Sequence, residues 1–164
     1  MGLLTASWKF IKGFINLEVK FKKVKSCGIL LFTSDKKSFL LLRHWNRWDL
    51  PKGHIKKTET ELEGALREFR EETGIDPKKV KIDPEFRFEI IYYPKYIRLG
   101  MQTVEKTLVV FLGFVPKRLP VEPTEHSGYE WIEYSPDLRL QPKIIDPLIE
   151  ATGLYFESKN GELI

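Results

Sequence analysis

The sequence predicts a single α/β domain, and three observations point that way. Five apolar segments, 24–32, 38–42, 85–92, 107–115 and 129–134, have strand length and strand composition. One segment near 60–72 and another around Ile144–Ile149 carry helical spacing instead. At 164 residues and 42% hydrophobic, with 13% aromatic, the chain is long and apolar enough for one core, which excludes a disordered protein. The longest apolar run, Leu108 to Val115, is far short of the roughly 20 residues a membrane helix needs. The lone Cys27 excludes an internal disulfide framework and a cysteine-only zinc site, and suits a reducing, cytoplasmic compartment.

Residues 1–23 read as an N-terminal extension, with the domain proper spanning 24–164. Leu4, Trp8, Ile11 and Ile15 fall at helical spacing, and Leu17, Val19 and Phe21 then alternate. An arm packed on its own domain or on a partner subunit fits this pattern, and so does a helix lying on a membrane surface. A targeting peptide fits worse, because arginine and a small-residue cleavage site are missing. The basic character sits in residues 1–25. Lys9, Lys12, Lys20, Lys22, Lys23 and Lys25 face Glu18 alone, a net +5 of the chain's total +4, so the remainder carries −1. The pI near 9.0 is therefore no sign of a DNA-binding domain.

Val24–Phe32 is a strongly apolar strand, Ser34–Lys37 is turn chemistry, and Ser38–Leu42 returns as a second strand, which makes a hairpin. Residues 44–58 read as a polar and aromatic loop. Thr60 with Glu63 three residues on forms a capping box, and Leu62, Ala65, Leu66 and Phe69 give the following helix its core face. Gly74 closes that helix. Glu85–Tyr92 and Thr107–Val115 are longer strands, with Lys95–Val104 as the loop between them. Prolines 116, 120 and 123 mark 116–126 as loop, and Tyr129–Tyr134 is a short strand. A closing helix around Ile144, Ile145, Leu148 and Ile149 is expected to stop near Gly153, kinked or started late at Pro147.

The second face of the 60–72 helix is unusual. Glu68, Glu71 and Glu72 lie at i, i+3 and i+4, which gathers three carboxylates that repel one another by about 0.2–0.5 kcal/mol per pair in water. A solvated charged face is the ordinary reading of such a helix. A site for a hard divalent cation, which takes oxygen ligands, is the alternative, and the surrounding residues favour it. The stretch Gly53–Ile75 resembles the Nudix box, Gly-x5-Glu-x7-Arg-Glu-U-x-Glu-Glu-x-Gly-U with U apolar. It matches at Gly53, Glu59, Arg67, Glu68, Phe69, Glu71, Glu72, Gly74 and Ile75.

That resemblance implies an α/β/α sandwich with a mixed β-sheet and a loop-helix-loop that holds Mg²⁺ or Mn²⁺ against a diphosphate. By position, Glu68, Glu71 and Glu72 become the metal carboxylates, Arg67 their orienting partner, and Glu59 the tie between loop and helix. The flanks are similar to those of asymmetrical bis(5′-nucleosyl)-tetraphosphatases. The segments concerned are Trp48-Asp49-Leu50-Pro51-Lys52-Gly53-His54, Ser26–Phe32, Lys106-Thr107 and Glu125-His126-Ser127-Gly128-Tyr129-Glu130-Trp131. The similarity implies hydrolysis of a small dinucleoside polyphosphate, with diadenosine tetraphosphate giving ATP and AMP. Lys52, His54, Arg43 and Lys106 are then candidate phosphate contacts, and Tyr92 and Tyr129 candidate stackers on adenine. Glu125 is a further metal ligand or the general base, a role for which Glu68 and Glu71 compete. His126 and Trp48 are expected to be structural. Two alternatives stand beside this one: pyrophosphohydrolysis of RNA 5′ ends or other nucleoside diphosphate derivatives, and a non-catalytic nucleotide-binding module.

Overall fold

A computed structural model of the chain describes residues 20–161. The amphipathic pattern of residues 1–19 lies outside them. The strands are β1 (Lys22–Thr33), β2 (Ser38–His44), β3 (Arg47–Asp49), β4 (Lys52–His54), β5 (Lys81–Tyr92), β6 (Lys95–Tyr96), β7 (Gln102–Val115) and β8 (Gly128–Glu133). Two helices are described, α1 (Glu61–Thr73) and α2 (Ile145–Gly161). The path β3-β2-β1-β7-β5 forms the spine of a mixed sheet, with β4 on β1, β6 on β7 and β8 on β2. β1 and β7 run parallel from Lys22↔Val104 to Thr33↔Val115, and the other pairings are antiparallel.

Alternation along the strands sorts side chains to two faces. Cys27, Ile29, Leu31, Leu40, Leu42 and Val109 pack with Ala65 and Phe69 of α1. Leu30, Phe32, Phe39, Leu41, Leu108, Val110 and Leu112 pack with Ile145, Leu148, Ile149 and Phe156 of α2. The sheet is covered on both sides, so every residue of Ser26–Thr33 is buried, as a continuous apolar strand run requires. This is the three-layer α/β/α arrangement. Among the described residues no helix is long and apolar enough to cross a membrane.

Several expectations need correction. Residues 44–58 are not all loop, because β3 and β4 lie within them. Each has only three residues, too few to show a period. β5 starts four residues early, with its pairing register shifted between Ile82 and Arg87, where Pro84 withholds a ladder donor. The Lys95–Val104 loop is largely a β6–β7 hairpin, closed by a tight turn at Ile97–Leu99. Gly153 does not stop the last helix. α2 runs through it to Gly161, and a Cβ at Gly153 would sit 2.8 Å from the Tyr134 hydroxyl oxygen. The glycine serves close packing rather than termination. Pro147 falls in the first turn of α2, where no backbone donor is missed. On α1 the buried residues are Gly64, Ala65, Phe69 and Thr73, while Leu62 and Leu66 are half-buried.

Candidate active site

The position of α1 is set by its ends. Thr60 Oγ1 accepts from the Glu63 amide (3.3 Å), and Glu63 Oε2 accepts from the Thr60 amide (2.8 Å), the reciprocal capping box. Gly74 terminates the helix with φ of 70°. With its start fixed, the helix directs Ala65 and Phe69 into the core. Arg67, Glu68, Glu71 and Glu72 then face the loop before the helix.

Arg67 is the hub of that loop. Its Nε and Nη2 donate to the two Glu59 carboxylate oxygens at 2.5 and 2.9 Å, and Nη2 also donates to the His54 carbonyl at 3.0 Å. Nη1 spans Glu68 Oε1 (2.6 Å) and Glu71 Oε2 (3.1 Å). Glu59 in turn accepts from the Lys56 amide at 3.0 Å. The guanidinium holds the Glu59 carboxyl down at about 2, and Glu59 raises the already high pKa of Arg67. Gly53 lies directly on the Glu68 carboxylate, and a Cβ there would collide with it. Glu72 Oε2 accepts from the Lys52 amide at 2.9 Å. Burial pushes the Glu72 carboxyl up to about 7.

Among the described residues no three His, Cys, Asp or Glu side chains already converge on one point as a ready cage. Glu68 and Glu71 are turned onto a guanidinium nitrogen and Glu72 onto a backbone amide. The residues nonetheless fit a hard divalent cation. The donors are all carboxylate oxygens. Two of them already share one positive nitrogen, and Glu72 is a desolvated acid whose charged form a cation would stabilise. Gly53 lets the Glu68 carboxylate pack against the β4 backbone, where any Cβ would collide with it.

Cations cluster beside the carboxylates. Lys52 Nζ lies 2.8 Å from Asp49 Oδ1, and Arg47 is 3.6 Å from Oδ2. Asp49 is buried. Burial works against its charge, but the His126 ring (Nε2 to Oδ2 3.9 Å) and the Lys52 ammonium hold its carboxyl well below the usual carboxylate range. Lys106 Nζ stands 5.9 Å from the Tyr92 ring centre and 5.8 Å from that of Tyr96. Burial, with Lys52 nearby, lowers the Lys106 ammonium to about 8. His54 Nε2 lies 3.1 Å from the Tyr96 hydroxyl, which ties the β6–β7 hairpin to β4.

The remaining sequence candidates are distributed unevenly. Tyr92 shares the α2 face with Phe88 and Ile90, half-buried. Tyr129 pairs with Leu42 and has the parity of Trp131, the α1 face. The two tyrosines therefore lie on opposite faces of the sheet and do not clamp one ring between them. Arg43 is stacked 4.6 Å from the Trp48 ring centre and paired with Glu130 at 2.9 Å. Glu125 is exposed on the 116–126 loop. Thr124 Oγ1 donates to the Glu71 carbonyl (3.1 Å) and the Glu122 amide to that of Thr73 (2.9 Å), so the loop runs beside the C-terminal half of α1. Asp49, Arg47 and Tyr96 were missed in the sequence. The only trace of the first was an acid three residues before Lys52 inside an aromatic stretch. A cavity of about 420 Å³ opens next to Arg43 and Arg47. Another, about 380 Å³, lies at the far end of β1 between Ser34, Lys81 and Phe156 and touches none of these groups.

The geometry agrees with what this chain is similar to. A family model described as NUDIX domain matches residues 22–143. The asymmetrical bis(5′-nucleosyl)-tetraphosphatase of Mus musculus is 33% identical over 123 residues, 66% of this chain and 78% of its own length. The mRNA-decapping protein g5R of African swine fever virus is 46% identical over 46 residues, but these cover 28% of this chain and 19% of g5R. The fold is that of a C. elegans Ap4A hydrolase binary complex, with TM-score 0.69, 22% identity, 82% of this chain and 98% of that one.

Proposed function

The chain belongs to the NUDIX domain family, and from that premise we propose that it hydrolyses a dinucleoside polyphosphate, diadenosine tetraphosphate to ATP and AMP. The observation that carries this reading is the α1 turn, on which Arg67 Nη1 joins Glu68 to Glu71 while Glu72 sits on the Lys52 amide. Similarity to the Mus musculus tetraphosphatase over most of the domain supports the choice of substrate.

Nudix enzymes generally use divalent metals. Glu68, Glu71 and Glu72 would hold Mg²⁺ or Mn²⁺, with Glu125 reaching them from its loop. When bound, the ion supplies charge neutralisation and Lewis-acid polarisation of a phosphoryl oxygen. The chain's own residues do the rest. Arg67 keeps Glu68 and Glu71 oriented and fastens the loop through Glu59 and the His54 carbonyl. Lys52 and Lys106 attract the polyphosphate, and His54 and Arg43 offer it further donors. Glu125, one residue after the Thr124 that bonds the Glu71 carbonyl, would be a further metal ligand or the general base that takes a proton from attacking water, a role for which Glu68 and Glu71 compete. Tyr92 lines the α2 side of the same end of the sheet, and Tyr129 the α1 side.

A substrate panel tests this reading. The purified chain is assayed with Mg²⁺, Mn²⁺ or EDTA on diadenosine tetraphosphate, triphosphorylated RNA and ADP-ribose, with products identified. The expected result is metal-dependent ATP and AMP from the first compound. A clear preference for RNA ends, the activity toward which the short likeness to g5R points, would replace the substrate and keep the chemistry. Binding without turnover of any of the three would leave a nucleotide-binding module.

A further inference from the structure

The cavity beside β2 and β3 has no part in holding the cation. Its walls are Arg43, His44, Trp45, Arg47, Trp48 and Gln141, with Asn46 and Leu140. At about 420 Å³ it falls within the range of about 300–1,000 Å³ usual for small-molecule sites. We propose that it receives the second nucleoside of the dinucleoside polyphosphate, with the base stacked on Trp45 and the phosphate chain led toward α1 past Arg47 and Lys52. This rests on the substrate class proposed above and adds where its far end binds.

Four observations carry the assignment. First, Trp45 is 80% exposed. An indole exposed at the rim of a cavity offers a stacking platform for a base. Second, the walls hold two arginines and no acid; Arg43 lies 4.6 Å from the Trp48 ring centre, and the arginines' pairs with Glu130 and Asp49 leave further guanidinium donors for an anionic ligand. Third, hydrogen-bonding groups for a base or ribose are present. Gln141 Oε1 accepts from the Trp48 amide, which turns its NH₂ to other partners. The Asn46 side-chain amide lines the same wall. Fourth, the path to the carboxylates is continuous: Arg47 to Asp49 3.6 Å, Asp49 to Lys52 2.8 Å, and the Lys52 amide to Glu72 2.9 Å. Trp48 and Leu140 pack on the same core cluster as Tyr92, so the cavity opens on the side where Lys106 stands.

The test compares diadenosine tetraphosphate with adenosine 5′-tetraphosphate, which has the phosphates but one nucleoside. Wild type, Trp45→Ala and Trp45→Phe are measured by calorimetric binding in EDTA and by KM with Mg²⁺. Wild type is expected to favour the dinucleotide. In Trp45→Ala that preference falls about tenfold, the loss expected of one base–aromatic stack, and Trp45→Phe recovers most of it. Equal effects on the two ligands, or none, would overturn the subsite. Normal turnover with an unchanged preference in Trp45→Ala removes the subsite and keeps the reaction. Dinucleotide binding that depends on Trp45 without turnover removes the reaction and keeps the subsite. Absence of dinucleotide binding removes both.

Discussion

α1 and α2 cover opposite faces of one sheet, yet they are specified in different ways. α1 buries little: Ala65, Phe69 and Thr73 with Gly64. Its outward side concentrates Arg67, Glu68, Glu71 and Glu72, each held by a named partner on the loop before it or by its neighbour. Its ends are fixed by a capping box and a left-handed glycine. α2 buries Ile145, Leu148, Ile149, Thr152 and Phe156, and Phe156 meets Phe32 and Tyr134 edge-on. The contrast teaches that the site helix is placed by polar ties and caps, whereas the scaffold helix is placed by packing. Damage to one should read out in turnover, and damage to the other in stability.

The sharpest break of that contrast is Glu72→Gln. It removes a carboxylate from the proposed cation site and is expected to lower kcat by about a thousandfold, the several kcal/mol a metal's charge stabilisation supplies. The melting temperature should hold or rise, since a desolvated acid is lost. Near-wild-type turnover with Mg²⁺ would show that Glu72 is no ligand. Leu148→Ala does the opposite. It empties a fully buried position under α2 and should cost about 2–5 kcal/mol in urea unfolding, while kcat of the folded fraction stays at wild type. A matching fall in kcat would mean that the two helices are coupled.

Arg67→Ala comes next. It frees Glu59, Glu68 and Glu71 together, and a loss of about 10–100-fold in activity is expected, as for other residues that orient metal ligands. Apparent Mg²⁺ affinity should weaken in step, and an unchanged Mg²⁺ titration would refute the orienting role. Thr60→Ala removes the N-cap alone and should cost about 0.5–2 kcal/mol by thermal melting, with a smaller effect on turnover. The smallest effect concerns pH. Lys106 is lowered from 10.5 to about 8, chiefly by burial, so it loses its charge, and with it the proposed pull on a substrate anion, as pH rises through about 8. Folding is correspondingly penalised below pH 8, where the ammonium stays charged in a buried place, and relieved between there and 10.5. A several-fold decline of kcat/KM above pH 8 is expected, flattened in Lys106→Arg. A profile identical in both proteins would take Lys106 out of the binding site.

The same division explains what could be read from residues alone. The α1 caps, its core positions Ala65 and Phe69, and the acid triad were legible because each follows from spacing within one helix. Strand β1 was legible because burial on both faces leaves an unbroken apolar run. β3, β4 and the β6–β7 hairpin were not, since strands of two or three residues exist only through their partners. Gly153 misled for a related reason: as local chemistry a glycine after an apolar helix is a stop, and only the Tyr134 hydroxyl across the interface shows why it lies mid-helix.

What the sequence determined by itself is the candidate site carried by one segment, Gly53 to Ile75, where loop, helix and carboxylates are neighbours along the chain. Tertiary structure decided everything that depends on distant segments meeting. It drew Asp49, Lys52 and His126 together, placed Tyr92 and Tyr129 on opposite faces, stapled the Glu125 loop to α1 through Thr124, and opened a cavity under Trp45. Periodicity reports which way a residue points on its own element. Which group it then meets is set by sheet order and register, and those are fixed by the packing of the whole core.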